Sequence, residues 1–129
     1  MCRLFIGAKP ELWESQTRSM RMDGMVTSIR LENRFWAILE DIATREDLNV
    51  PQLLHQLYNE SIDEGHDLGN FTSFLRVCCL RFLDLQLLDL IPSAHNTTFE
   101  TLPTEDILRI EADMSNKRRI GNILTPKRD

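Results

Sequence analysis

The chain has 129 residues, a formal net charge of -5 and 42% hydrophobic residues, enough apolar material for the core of one domain. Its longest apolar run is far below the roughly 18 residues of a membrane span, and its apolar N-terminal stretch is too short for a signal peptide. We therefore expect a cytoplasmic protein that does not associate with membranes.

The cysteines are three in number, Cys2, Cys78 and Cys79. Cys78 and Cys79 lie in an apolar helical pattern, where free thiols pack as small hydrophobic groups. Their spacing from the three histidines matches no zinc motif. We expect no metal site and no cofactor.

Charge is distributed unevenly along the chain. Residues 25–64 and residues 65–115 each carry three basic and eight acidic side chains. Residues 1–24 carry four basic and three acidic side chains, and residues 116–129 carry five and one. Phosphate neutralisation supplies much of non-specific DNA affinity, so any contact with nucleic acid would need help from the basic ends.

Residues 1–24 are predicted to form an N-terminal arm. Its first residues, 2–6, suggest a strand, and Ser15 to Met22 suggests extended chain. We expect the apolar side chains Leu4, Phe5 and Trp13 to cover part of the core.

Residues 25–32 alternate in polarity, which predicts a strand. Thr27, Ile29 and Leu31 share one face, which belongs on the helices, because successive strand side chains point to opposite sides. A strand this short needs a partner for its backbone hydrogen bonds. Although Asp23-Gly24 is a turn signal, we predict that this partner comes from a second copy of the chain.

Two helices are predicted next, over residues 33–45 and 50–63, from apolar residues repeating at helical spacing. Asn49 and Gln52 form a variant of the capping box at the start of the second helix, and Pro51 is tolerated in its first turn.

A third helix is predicted over residues 70–90, and because it is apolar nearly all round we expect it to pack between the subunits of a dimer or a tetramer. Residues 91–129 suggest a loop, a short helix beginning near Thr104, and a basic tail that includes Lys117-Arg-Arg. No internal repeat is apparent.

The stretch Thr27-Ser-Ile-Arg-Leu-Glu-Asn-Arg-Phe-Trp, followed by Leu48-Asn-Val-Pro-Gln-Leu-Leu, resembles the ribbon-helix-helix family of DNA-binding repressors. A bacterial subgroup is similar further on as well, at Ser73-Phe-Leu-Arg-Val77. The resemblance covers residues 25–64 and implies a mainly α homodimer with an additional C-terminal helix. In such a dimer, one strand per chain pairs across a two-fold axis to form a ribbon that enters the major groove.

The resemblance also implies the roles of individual residues. The outward strand face would contact bases, and the start of the second helix would hold a phosphate, although Asp47 stands where the family often has Gly. By the resemblance, the expected base contacts are Val26, Ser28 and Arg30, and the expected phosphate contacts are Asn49 and Val50. Arg18, Arg21 and Arg34 are basic side chains on or near the strand and are expected to contact phosphates as well. The expected dimer core is Thr27, Ile29, Leu31, Phe35, Trp36, Leu39, Leu53, Leu54 and Leu57.

The leading functional hypothesis is a homodimeric transcriptional regulator that binds double-stranded DNA. The alternative is an interaction module, in which an acidic ribbon-helix-helix protein binds a protein partner through its C-terminal region, as antitoxins of this fold do. A third interpretation is enzymatic, since Met1-Cys2-Arg3 resembles the start of glutamine amidotransferases with an N-terminal cysteine nucleophile. That match spans only a few residues and the chain is short for the catalytic domain, so we predict no enzymatic activity.

Overall fold

The structure is a computed structural model that describes residues 2–66, 69–93 and 98–117, with side chains as far as residue 114. Its described part is mainly α. The elements are a short helix α1 (Cys2–Ile6), a 3-10 turn (Pro10–Leu12), strands β1 (Ser15–Met22) and β2 (Met25–Glu32), and helices α2 (Asn33–Arg45), α3 (Val50–Asp63), α4 (Phe71–Leu87) and α5 (Thr104–Lys117).

The two strands form an antiparallel hairpin within one chain, which corrects the prediction that β2 pairs with a second copy. The register runs from Ser15 opposite Glu32 to Met22 opposite Met25. Asp23 and Gly24 close the turn with φ angles of 53° and 79°. Positive φ at both central residues is the geometry of the tight hairpin turn whose twist matches that of its strands. The Asp23-Gly24 turn signal therefore indicated the partner strand of β2 correctly.

Residues 15–22 of the predicted arm thus form strand β1 of the fold, whereas residues 2–6 do not form the expected strand. Residues 2–6 are helical, with no strand to pair with among the described residues. Leu4, Phe5 and Trp13 are 78%, 69% and 55% exposed, so the prediction that they cover the core is wrong.

Helices α2 and α3 begin and end where the sequence predicts. The capping box of α3 is present, since the Asn49 side chain accepts from the Gln52 N–H and the Gln52 side chain accepts from the Asn49 N–H, both at 2.9 Å. The turn before α3 places Asp47 at a φ of 57°, a conformation that Asp tolerates better than most residues.

The hairpin lies on three helices of its own chain: α3 contacts β1, and α2 and α4 contact β2. One hydrophobic cluster joins them, and it contains most of the residues predicted to form a dimer core. Because these side chains are buried in a single chain, their burial requires no second subunit. The buried members include Met20, Met22, Ile29, Leu31, Trp36, Leu39, Leu53, Leu54, Leu75, Cys79 and Phe82, with Phe35 and Leu57 partly buried against them.

Helix α4 packs through one face on α2 and β2, and a second, smaller cluster joins its end to α5 through Leu85, Ile91 and Ile107. The predicted short helix near Thr104 is a 14-residue helix. The basic residues Arg118 and Arg119 lie outside the described residues. None of the helices in the described part of the chain is long and apolar enough to cross a membrane.

Candidate nucleic-acid interface

The outer face of the hairpin presents six exposed side chains in three cross-strand pairs. Thr17 lies opposite Arg30, Ser19 opposite Ser28, and Arg21 opposite Val26. The alternating residues of both strands are turned to the helices, where Met20, Met22, Ile29 and Leu31 are buried. The core therefore fixes which side chains point outward.

The middle pair is joined by a hydrogen bond between the two serine hydroxyls, whose oxygens are 3.1 Å apart. Each hydroxyl keeps further donor or acceptor capacity for a ligand. On either side of them, the Arg21 and Arg30 guanidiniums are exposed and make no hydrogen bond or ion pair with the described residues. Both guanidiniums are free to bind an external acceptor.

The predicted base contacts Val26, Ser28 and Arg30 thus lie together on one exposed face. Val26 is 65% exposed and can offer a methyl surface. Hydrogen-bond donors and an apolar contact side by side on a two-stranded ribbon match what base edges present in the major groove. Their roles as base contacts remain predictions.

Glu32, at the end of β2, is the acidic side chain next to this face, and its charge is already paired. Arg76 on α4 donates two hydrogen bonds to its carboxylate, at 2.9 and 3.2 Å. Those bonds are the main reason that the pKa of Glu32 is lowered, and the charge of Arg30 adds a smaller effect in the same direction. The pairing limits repulsion between Glu32 and an approaching phosphate.

The predicted phosphate contacts are divided between three places. Arg21 lies on the outer face, and Arg34 is exposed in the first turn of α2. Arg18 lies on the helix side of β1, where its guanidinium stacks 4.4 Å from the Trp36 ring centre and pairs with Glu40 at 3.2 Å. Arg18 is therefore already partnered and faces away from Arg30.

The start of α3 holds the remaining predicted phosphate contacts, Asn49 and Val50. Together with Arg18 they line a shallow depression of about 300 Å³. The capping box occupies the N–H groups of Asn49 and Gln52, and Pro51 has none. The Val50 N–H is the remaining amide of this turn that can reach a ligand, which is less than a helix N-terminus usually offers.

Ser19 and Arg21 were not predicted to share the outer face with Ser28 and Arg30, because β1 was interpreted as an arm. A signal was present in the sequence: Ser19-Met-Arg-Met22 repeats the pattern of Ser28-Ile-Arg-Leu31 on the far side of the Asp-Gly turn. Two similar alternating segments around such a turn are typical of a hairpin.

The described residues contain no group of three or more His, Cys, Asp or Glu side chains that could hold a metal ion. Of the three thiols, Cys2 is exposed, Cys78 is half-buried and Cys79 is buried. Burial raises the pKa of Cys79 to about 12, so this thiol is a poor nucleophile and packs as a hydrophobic group.

Residues 15–83 match the family model described as a ribbon-helix-helix domain, which extends beyond the predicted residues 25–64 to include β1 and most of α4. The structure is similar to that of an uncharacterized protein from Bordetella pertussis Tohama I, with a TM-score of 0.80 and 43% sequence identity. That similarity covers 84% of this chain and 87% of the other. No curated protein matches the chain.

Proteins of this family typically bind DNA, form dimers and are not enzymes. The family match spans more than half of the residues and coincides with the hairpin and the three helices beneath it. The chain belongs to the ribbon-helix-helix family.

Proposed function

We propose that the protein is a cytoplasmic, sequence-specific transcriptional regulator that reads the major groove of double-stranded DNA with the outer face of its hairpin. The observation that carries this proposal is the pair of exposed guanidiniums of Arg21 and Arg30, which have no partner among the described residues, on a ribbon whose other face is buried in the core. A two-stranded ribbon is of a size that the major groove admits.

Arg30 is the principal specificity residue in this proposal. Its planar guanidinium can bind O6 and N7 of one guanine with two hydrogen bonds, which gives about 1–3 kcal/mol of discrimination against another base. Ser28 donates to or accepts from a neighbouring base edge, and Val26 meets a thymine methyl group.

Phosphate contacts in this proposal come from Arg34 and the Val50 N–H. Asn49 holds the turn in which Val50 lies. Arg18 contributes little, because its charge is already paired with Glu40. The net negative charge of residues 25–64 limits the part of the DNA affinity that comes from phosphate contacts. Each phosphate that an arginine neutralises contributes roughly -0.9 to the slope of the logarithm of affinity against the logarithm of salt concentration, so Arg34 alone predicts a shallow slope of about -1 per bound chain.

The test is selection of bound fragments from genomic DNA of the source organism, comparing the wild type with Arg30→Ala. Arg109→Ala is the matched control, since it removes the same charge from α5, where the Arg109 side chain is 70% exposed. We expect the wild type and the control to enrich a common motif that Arg30→Ala fails to enrich. Recovery of the same fragments by all three proteins would show that the ribbon does not read bases.

A second candidate function, protein interaction, is favoured by an open apolar groove between α4 and α5. This groove has a volume of about 440 Å³, and Val77, Leu80 and Leu108 on its walls are 52%, 52% and 44% exposed. Arg81 closes one edge through two hydrogen bonds to Glu111, at 2.6 and 2.7 Å. We propose that this face, rather than the strand, carries self-association, since β1 already pairs with β2.

Molecular mass in solution, measured by light scattering as protein concentration is raised, tests that candidate. Leu80→Glu should convert any dimer or tetramer to a monomer, because it places a charge on the apolar wall. Gln56→Glu, on the exposed side of α3, is the charge-matched control. A wild-type protein that stays monomeric at high concentration and without DNA would contradict self-association through this groove.

A further inference from the structure

The hairpin has an approximate two-fold axis of its own, which passes through the Ser19–Ser28 pair. Counting outward from that pair, each residue after Ser19 lies opposite the residue equally far before Ser28, as Met20 does with Thr27. Rotation about the axis therefore exchanges the two strands, and it superposes Arg21 on Arg30.

The residue types follow this axis as well as the backbone does. Ser19 and Arg21 are exposed, as are their counterparts Ser28 and Arg30. The alternate residues are buried in both strands, with Met20 and Met22 at 7% and 5% exposure and Ile29 and Leu31 at 3% and 0%. The symmetry therefore extends to both faces of the ribbon.

The support beneath the ribbon follows the axis in part: α3 contacts β1 and α4 contacts β2, whereas α2, which contacts β2 and donates from Trp36 to the Gln16 carbonyl of β1, has no equivalent among the described helices. The symmetry ends where Arg18 takes the place equivalent to Thr27. Arg18 stacks on Trp36 and binds Glu40, so this departure is confined to the helix side. The outer face keeps its two arginines and two serines in equivalent positions.

We propose that one chain supplies both halves of the base-contacting surface, which is the outer face of the hairpin. In this proposal Arg21 contacts a base in the same way as Arg30, and the DNA target is a short inverted repeat. This inference rests on the proposed DNA-binding function. It replaces the two-chain ribbon with a single-chain one, and it changes the predicted role of Arg21 from phosphate contact to base contact.

The distance between Arg21 and Arg30 also predicts how far apart the two guanines of the DNA target lie. Arg30 shares its cross-strand pair with Thr17, four residues along β1 from Arg21. Four residues of strand span roughly 13–14 Å, which is about four base-pair steps of 3.4 Å. Because the axis relates the two arginines, the two guanines they read should lie on opposite DNA strands, about four base pairs apart.

The experiment is selection from a random duplex library, followed by affinity measurements on the selected duplex with each half substituted in turn. The wild type should lose roughly 5- to 150-fold in affinity when either half is substituted. Arg21→Ala and Arg30→Ala should each become indifferent to substitution of one half, because the remaining arginine can read the other. Analytical ultracentrifugation of Leu80→Glu, in which self-association through the α4–α5 groove is blocked, should show one chain per duplex.

Arg109→Ala again controls for loss of charge, and thermal melting by circular dichroism confirms that each variant is folded. If Arg30→Ala changes base preference while Arg21→Ala behaves like Arg109→Ala, the single-chain inference is wrong and the proposed function stands. Two chains per duplex with both halves dependent on Arg30 alone would overturn it in the same way. If neither variant changes base preference, the proposed function itself fails.

Discussion

The hairpin region and the α4–α5 region of this chain are each built on a hydrophobic cluster. The two clusters differ in how completely their side chains are buried. The cluster beneath the hairpin joins both strands to α2, α3 and α4, and several of its side chains are fully buried. Among the described residues, the cluster between α4 and α5 has three buried members and borders an open apolar groove. A closed core holds the outer face of the ribbon in a fixed geometry, whereas the open region leaves apolar side chains exposed among the described residues.

The largest expected effect comes from opening the closed cluster. Leu54→Ala removes a side chain with 0% exposure, so we expect the free energy of unfolding to fall by about 2–5 kcal/mol. Urea denaturation followed by circular dichroism measures the change. Leu108→Ala, at 44% exposure in the open region, is the control and should change stability by roughly 0.5 kcal/mol or less. Equal losses from the two variants would contradict the contrast between the regions.

A smaller effect is expected at Arg45, which connects the two regions. This buried side chain stacks 4.9 Å from the centre of the Phe82 ring and donates hydrogen bonds to the carbonyl oxygens of Pro92 and Ser93. Hydrogen bonds that involve a charged group contribute roughly 1.5–3 kcal/mol each, and the cost of burying the guanidinium charge offsets part of the two, so Arg45→Ala should lower the unfolding free energy by about 1.5–3 kcal/mol.

Arg45→Lys separates the two contributions at this position, since lysine keeps the charge but lacks the planar fork that reaches two carbonyls. It should recover part of the stability lost in Arg45→Ala, again measured in urea. If the lysine variant matched the wild type, the two-carbonyl contact would have no measurable role in joining the regions.

The smallest effect concerns the Glu32–Arg76 pair, which ties the ribbon to α4. The pKa of Glu32 is lowered in the folded chain, so the pair stabilises the fold above the unfolded pKa, near 4.5, and this contribution is lost as pH falls through the lower folded value. Both side chains are partly exposed, so the contribution is about 0.2–1 kcal/mol. Glu32→Gln should therefore be less stable than the wild type at pH 7.

The difference between Glu32→Gln and the wild type should shrink as pH falls below 4.5 and through the lower folded pKa of Glu32, because the wild-type carboxyl becomes protonated over that range. Measuring unfolding free energies from pH 3 to pH 7 tests this dependence. A difference that stayed constant over that range would mean that the substituted amide disturbs packing rather than the ion pair.

Helices α2 and α3 were predictable to the residue because their signals are local. Apolar side chains at helical spacing define the buried face, and the Asn49–Gln52 capping box marks where α3 begins. The two faces of β2 were predictable for the same reason, since alternation places Ile29 and Leu31 inward and Ser28 and Arg30 outward.

The sequence by itself therefore determined helices α2 and α3, strand β2 and the side chains that β2 turns outward. The tertiary structure decided which strand pairs with β2, and with it whether Arg30 has a counterpart in its own chain. Alternation in β2 is equally compatible with a partner from a second chain or from the same one. The same-chain pairing needs only a two-residue turn, whereas association of two chains costs several kcal/mol of lost translational and rotational freedom. Asp23 and Gly24, at positive φ, provide that turn and place Arg21 beside Arg30 on one face.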